Sequence, residues 1–415
     1  MQCRSSACLL SSFLVVTAAV WGISSFAQPA SMPPSYRLVD GTSASQIPIE
    51  VVSDGLVLLR AKVNDHPGWF ILDNATEGFI ADREYAQRNS LGSGESVATR
   101  GGGASEIAAG VVHDVQISLP GLDLTHRQLI VIPLKTLEPT LGHEVDGIIG
   151  SRLFDDFIIA VDYERRRVAV SLPGSYRPSG AETAIPVTLD EHGFQFVDAS
   201  FTLPGAAPAT AKFLIDGGAD TYADIYKPFA DAHRLPPPAM KLLDEPGTST
   251  GGTTEARIGR AARLTVGPFS IANPLFTFAQ DTEGLMAASG YAGLIGAAFL
   301  ERFTVVFDSR GKQILLAPNR HYHDAAEDDG SGLRIRAGGP GFHQFTVKRI
   351  VSPSPAVQAG FAIGDVIESI DDRPAGELTL TELRKMLCRT DTSCSVGVIR
   401  GMRHLRFTMK LQALQ

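Results

Sequence analysis

Trp69-Phe70-Ile71-Leu72-Asp73-Asn74-Ala75 and Ala211-Lys212-Phe213-Leu214-Ile215-Asp216-Gly217-Gly218 are the two stretches whose reading decides the fold. Each is a short, largely apolar run of the kind that forms a strand, and each ends on an aspartate followed by small residues. Burying a carboxylate at the end of such a strand is costly unless it is hydrogen-bonded. A single aspartate of this kind is ordinarily a turn residue whose carboxylate accepts local backbone hydrogen bonds. Two at the same position of two similar stretches ask for a different explanation.

Outward from the aspartates, the similarity extends over residues 47–318. In the first copy a strand at residues 56–63 and a turn at 64–68 precede Asp73, and a short helix at 82–89 follows. In the second, a strand at 194–203 and a turn at Pro204-Gly205 precede Asp216, and a helix at 225–233 follows. Glycine-rich stretches come next, Gly101-Gly102-Gly103 and Gly251-Gly252, read as mobile hairpins. Each copy closes with Gly147-Ile148-Ile149-Gly150 or Gly293-Leu294-Ile295-Gly296, then a hairpin containing Asp162 or Asp308. The turn glycines 121 and 267, the closing glycines 147 and 293, and the aspartates 162 and 308 are all 146 residues apart, whereas Asp73 and Asp216 are 143 apart. Such a constant offset predicts two similar lobes with a three-residue length difference between them.

Residues 321–332 are polar and acidic without periodicity, which marks a solvated linker. Beyond it, apolar and polar residues alternate from Leu333, followed by Ser354-Pro355-Ala356-Val357-Gln358-Ala359-Gly360, then Gly364-Asp365-Val366-Ile367-Glu368-Ser369-Ile370-Asp371, a helix at 380–387 and a last strand at 406–411. At the other end, Arg4, an apolar stretch over 9–26 and the small-residue site Ser25-Phe26-Ala27 have the layout of a secretory signal, with an uncleaved membrane anchor as the alternative. The expected divisions are thus a signal at 1–27, a first lobe at 28–180, a second at 181–320, the linker at 321–332 and a C-terminal domain at 333–415. Export, to a periplasm or outside the cell, places Cys388 and Cys394 where they either pair or remain buried thiols.

Two carboxylates sharing one site cannot both ionise, so one keeps a proton while the other takes one from a water between them. That is a general acid and a general base, and peptide hydrolysis by such a pair needs no metal, no covalent intermediate and no other cofactor. Ile148-Ile149-Gly150 and Leu294-Ile295-Gly296 match the apolar-apolar-Gly element that passes behind the aspartate loop in aspartic peptidases. Residues 47–318 resemble the retropepsin-like and pepsin-like aspartic peptidases, and the C-terminal run resembles bacterial PDZ domains. The whole is similar to the bacterial aspartyl protease/PDZ family.

The resemblance implies a mainly β protein: two acid-protease-type β lobes in tandem, then a small PDZ-like α+β domain. It implies an endopeptidase with Asp73 and Asp216 as catalytic pair and with Gly101, Gly102, Gly103, Gly251 and Gly252 in flaps over substrate. PDZ domains bind peptides by adding them to a sheet edge and capturing the terminal carboxylate, so the partners are polypeptide substrates or peptide C-termini. Gly339-Pro340-Gly341-Phe342 is either that carboxylate loop, with Gly341 and Phe342 binding, or a plain turn. The family pattern is Asp, then Thr or Ser, then Gly, whereas this chain has Asp73-Asn74-Ala75 and Asp216-Gly217-Gly218. The hydroxyls that tie the family's two loops together are missing; the Asn74 amide is the candidate substitute, and the Ala75 methyl crowds the loop if that position needs positive φ or close approach. A catalytically silent peptide-binding or scaffold protein is therefore the alternative reading.

Other chemistries lack their motifs. The net charge of -8 is spread along the chain and offers nothing to nucleic acid. No Gly-Asn-Ser-Gly-Gly run occurs, His143-Glu144 has no second histidine at metalloprotease spacing, and the Gly101 cluster has no following Lys-Ser/Thr for phosphate. His321, His323 and Asp324 belong to the expected linker and lack a fourth metal ligand nearby.

Overall fold

The computed structural model describes residues 8–9, 14–15, 35–38, 44–92, 94–100 and 106–414. Gly101, Gly102, Gly103 and most of the expected signal at 1–27 lie outside these. The protein is mainly β, in several sheets. Among the described residues no helix is long and apolar enough to cross a membrane.

Local pattern accounts for the strands. Ala44–Val52 alternates buried and exposed residues from Ser45 to Glu50, as a strand with one wet face does. Leu56–Val63 begins with four buried apolar residues, as a strand covered on both faces does. It pairs antiparallel with His66–Leu72 through a tight turn in which Asn64 and Asp65 take positive φ, a conformation tolerated best by short polar side chains. The expected helix at 82–89 is Arg83–Arg88, capped by the Asp82 carboxylate, which accepts from Glu84 N–H and Tyr85 N–H. The expected helix at 225–233 is Lys227–His233, with Pro228 in its first turn.

The closing segments sit where the repeat requires. Gly147–Ile149 runs parallel to His66–Leu72, with Ile149 beside Leu72, and antiparallel to Phe79–Asp82. Gly293–Ile295 runs parallel to Ala209–Ile215, with Ile295 beside Ile215, and antiparallel to Ala223–Ile225. The halves then join through one ladder: Ile158–Asp162 pairs antiparallel with Phe303–Asp308, Ala160 facing Val306. Val306 is the 146-residue equivalent of Ala160. Equivalent residues facing each other across an antiparallel pair is the arrangement a local two-fold axis produces. One apolar cluster runs through both halves, with Phe154 and Phe307 meeting edge to face, their ring centroids 5.2 Å apart.

Residues from Leu333 to Leu411 have a core of their own and a six-stranded sheet beginning with Leu333–Gly338 as an edge strand. The segment before it is not the solvated linker expected from its composition. Asp329 and Ser331 are fully buried, and the Asp329 carboxylate accepts from Ser331 N–H, Ser331 Oγ, Gly332 N–H and Arg334. His321 Nδ1 lies 2.8 Å from Asp324 Oδ2. Arg302, itself fully buried, donates to the carbonyls of His321, Tyr322, Asp324 and Ala325 and to the Tyr222 hydroxyl. Nor do Cys388 and Cys394 pair with each other: Cys394 is a free, buried thiol, and Cys388 is disulfide-bonded.

Replacing Arg302 by Met leaves those carbonyls without their donor at similar side-chain volume. The expected cost is about 3 kcal/mol of unfolding free energy, measured by urea unfolding followed by fluorescence. A change under about 0.5 kcal/mol would mean that the 321–325 segment does not depend on this side chain.

Candidate active site

Asp73 and Asp216 meet at the junction of the two halves. Both are fully buried, and their side chains are hydrogen-bonded to each other. Their backbones are held from behind in matching ways: Asp73 N–H donates to Ile149 O at 3.0 Å and Asp216 N–H to Ile295 O at 2.9 Å. Ser151 N–H donates to Thr76 O and Ala297 N–H to Ala219 O, each at 2.7 Å. Gly150 and Gly296 permit this passage; a Cβ on Gly150 would lie 2.3 Å from the carbonyl oxygens of Thr76 and Gly78, and one on Gly296 would lie 2.5 Å from those of Ala219 and Thr221.

Besides the bond between the aspartates, one side chain ties the first loop to the backbone of the second. Asn74 Nδ2 donates to Ile215 O at 2.6 Å, and Asn74 Oδ1 accepts from Gly217 N–H at 2.8 Å. An amide carries both a donor and an acceptor, so it spans to the facing backbone in both senses. Gly217 contributes no side chain, and this leaves room for the amide: a Cβ there would sit 3.2 Å from Asn74 Oδ1. Gly218 is constrained more tightly. A Cβ on it would lie 2.3 Å from Asp73 Oδ2 and 2.4 Å from Asp73 Cγ, so only glycine admits the Asp73 carboxylate at this distance. The expected crowding at Ala75 does not arise, because Ala75 does not have positive φ and its methyl is buried in an apolar cluster with Leu214, Ala219 and Tyr226.

The two carboxylates are not equivalent. Asp73 Oδ1 accepts from Ala75 N–H at 2.8 Å, and Asp73 Oδ2 accepts from the Thr76 hydroxyl at 2.6 Å. Asp216 Oδ1 accepts from Gly218 N–H at 2.8 Å, while the position matching Thr76 is Ala219, which has no hydroxyl. The extra donor favours negative charge on Asp73. Burial works the other way and prevails, raising the Asp73 pKa to about 6 against the pull of Thr76 and Ala75. The pair shares its protons and titrates as a unit. Sequence reasoning passed over Thr76 by looking for the hydroxyl at the residue after each aspartate; it stands three residues after.

The remaining predicted residues are distributed elsewhere. Gly251 and Gly252, with φ of 104° and 112°, turn a hairpin between Gly247–Ser249 and Gly252–Thr254. At its foot Glu245 is buried and bound by Arg334 and Arg349 of the C-terminal domain. Gly341 and Phe342, both at positive φ, form a turn of the C-terminal domain and share no hydrogen bond with the aspartate pair among the described residues. The edge of Leu333–Gly338 is met from its own domain and from the first half. Arg384 donates to Ile335 O at 3.2 Å, Ser53 N–H donates to Thr381 Oγ1 at 3.2 Å, and Gly142 packs against Leu380 and Ala337 so closely that a Cβ would come within 2.6 Å of Leu380 Cβ.

No family model matches the chain, and neither does any curated protein.

Two outcomes are expected at this site. Gly218→Ala displaces the Asp73 carboxylate and destabilises the fold by on the order of 3 kcal/mol in urea unfolding. A carboxyl whose pKa is raised on folding stabilises the protein most at low pH and loses that contribution as pH rises through its folded value. Between pH 4 and pH 7.5 the wild type should therefore lose about 2 kcal/mol relative to Asp73→Asn, the part of a two-unit pKa rise that is lost above pH 4. Parallel stability profiles for the two proteins would refute this.

Proposed function

We propose that the protein is an aspartic endopeptidase with Asp73 and Asp216 as its catalytic dyad, built on two acid-protease-type β lobes with a PDZ-like domain at the C-terminus. The observation that carries the reading is the apposition of two fully buried carboxylates, each at the end of a strand with an apolar-apolar-Gly segment behind it and held to the other loop by Asn74. A fold that needed only shape at this place has no use for two apposed carboxylates, which are expensive to bury.

In this mechanism Asp73, with the Thr76 and Ala75 donors, is the anion that takes a proton from water. The water oxygen bonds to the peptide carbonyl carbon, and Asp216 passes its proton to the carbonyl oxygen, giving a neutral tetrahedral diol. The C–N bond then breaks, Asp73 gives its proton to the leaving nitrogen, and a diol hydroxyl returns a proton to Asp216. Every proton is accounted for within the pair. Both carboxylates are closed to solvent, so a substrate reaches them only when the covering segments part; the paired strands Glu95–Arg100 and Glu106–Leu119 and the hairpin at 247–254 belong to the flaps of this reading.

The alternative, a silent peptide-binding protein, drew its support from the missing loop hydroxyls. The Asn74 amide makes both inter-loop bonds and Thr76 supplies a hydroxyl to Asp73, which favours the enzyme.

The test is cleavage of an unfolded, casein-like polypeptide by the wild type and by Asp216→Ala. Wild-type cleavage that the variant lacks is expected; no cleavage by either supports the silent protein. Because Asp73 acts as base only when ionised, the rate should climb as pH rises through about 6. Thr76→Val removes a donor to the anion, so it should move that limb of the profile to higher pH and lower the rate at pH 6 by about tenfold. An unmoved limb would remove Asp73 from the role of base.

A further inference from the structure

A cavity of about 570 Å³ lies where the first half, the 247–254 hairpin and the C-terminal domain meet. Its lining is unusual in charge. Arg336 and Lys348 face it, with the hydroxyl-bearing Thr140, Thr248 and Thr253, and no aspartate or glutamate is among the described residues that line it. Arg336 and Thr346 are cross-strand partners and project from one face of the Leu333–Gly338 and Gln344–Ile350 strand pair; Lys348, the extra residue at the irregularity between Val347 and Arg349, lines the same cavity.

Arg336 is the decisive group. Its Nη2 donates to Thr248 Oγ1 at 2.8 Å, while Nη1 is buried with no hydrogen-bond partner among the described residues. A guanidinium stays charged in a protein, and a buried N–H without an acceptor is costly, so the position calls for an acceptor that the described residues do not supply. The nearby acids do not supply it: Glu245 is taken by Arg334 and Arg349, and Asp220 accepts from Ser53 Oγ at 2.8 Å. Lys348 is exposed and forms no ion pair among the described residues.

The strand Gly252–Thr254 is the outer strand of its small sheet, and Gly252 and Thr253 line the same cavity. Unpaired backbone N–H and C=O groups along such an edge hold an extended chain. A planar carboxylate fits the guanidinium fork, with the ammonium of Lys348 as second cation. We propose that this cavity binds a carboxylate of an extended polypeptide through Arg336 and Lys348, and so selects peptides by an acidic group carried either at the C-terminus or on a side chain. The inference involves no step at the aspartate pair and stands or falls apart from catalysis.

The experiment uses full-length protein carrying Asp216→Asn, so that no probe is cut, and three dye-labelled Gly-Ser-Ala octapeptides read by fluorescence anisotropy. One ends in a free carboxylate, one in an amide, and one in an amide with a single internal Glu. At least one acidic probe should bind about tenfold more tightly than the neutral amide, the size of effect of one charge-assisted contact. A preference for the first identifies the C-terminal carboxylate as the ligand, and a preference for the third identifies the side chain. Arg336→Met and Lys348→Met should each reduce that preference several-fold while leaving the neutral probe unchanged. Lys348→Met disturbs no ion pair of the described residues, so it reads the site even if Arg336→Met loosens the fold through Thr248. Equal affinity for all three probes, or a preference that survives both substitutions, overturns the proposal.

Discussion

The centre of the molecule depends on the side-chain amide of Asn74. The shared ladder between Ile158–Asp162 and Phe303–Asp308 fixes the two halves relative to each other, but it lies in another part of the chain from the aspartate loops. Two carboxylates that must share protons need their loops set to within a fraction of an ångström, and a sheet contact does not set them. Asn74 does, by taking Ile215 O and Gly217 N–H together. Both of its partners are backbone groups, so the bond survives any side chain at Ile215 but tolerates little more than glycine at position 217.

One residue serving both loops breaks the two-fold symmetry that the repeat would otherwise impose. Thr76 against Ala219 breaks it again, in the same direction. The first loop thus holds the inter-loop amide and the additional donor to its carboxylate, while the second supplies Gly217 and Gly218, the two residues small enough to receive them. The asymmetry is chemical as well as geometric. In a symmetric pair the anion has no preferred side; here the Thr76 hydroxyl, which Ala219 does not match, favours charge on Asp73.

What was legible in the sequence was what depends on local pattern or on the repeat. The strands leading to Asp73 and Asp216, the capped helix after Asp82 and the glycines at 150 and 296 follow from residues near them in the chain. The 146-residue offset even prefigures Ala160 facing Val306. What was not legible depends on groups brought from far away. Asn74 bonds residues 141 and 143 positions distant. The acidic run at 321–332 has the composition of a solvated segment, yet it is ordered by Arg302 and Arg334, and nothing local announces that those guanidinia are aimed at it. Cys388 and Cys394 are close in sequence, but Cys394 lies in a strand of the C-terminal core as a free thiol. Gly101, Gly102 and Gly103 fall outside the described residues.

The C-terminal domain is joined to the second half by buried charge as well as by the connecting segment. Alternation along Leu333–Gly338 sends Leu333, Ile335 and Ala337 into the domain's own core and turns Arg334 and Arg336 towards the second half. Glu245, buried at the foot of the 247–254 hairpin, has its charge balanced by Arg334 and Arg349. Removing the domain would leave that carboxylate without its cations, which is a far larger penalty than breaking a surface pair. The hairpin and the domain therefore keep one relative position as long as Glu245 stays buried. Displacement of one requires either displacement of the other or hydration of Glu245. A carboxylate-bearing chain held by Arg336 would bear on the same strand as Arg334, and through it on the hairpin. Because breaking a buried pair costs more than shifting two bodies that remain paired, the two move together rather than separately.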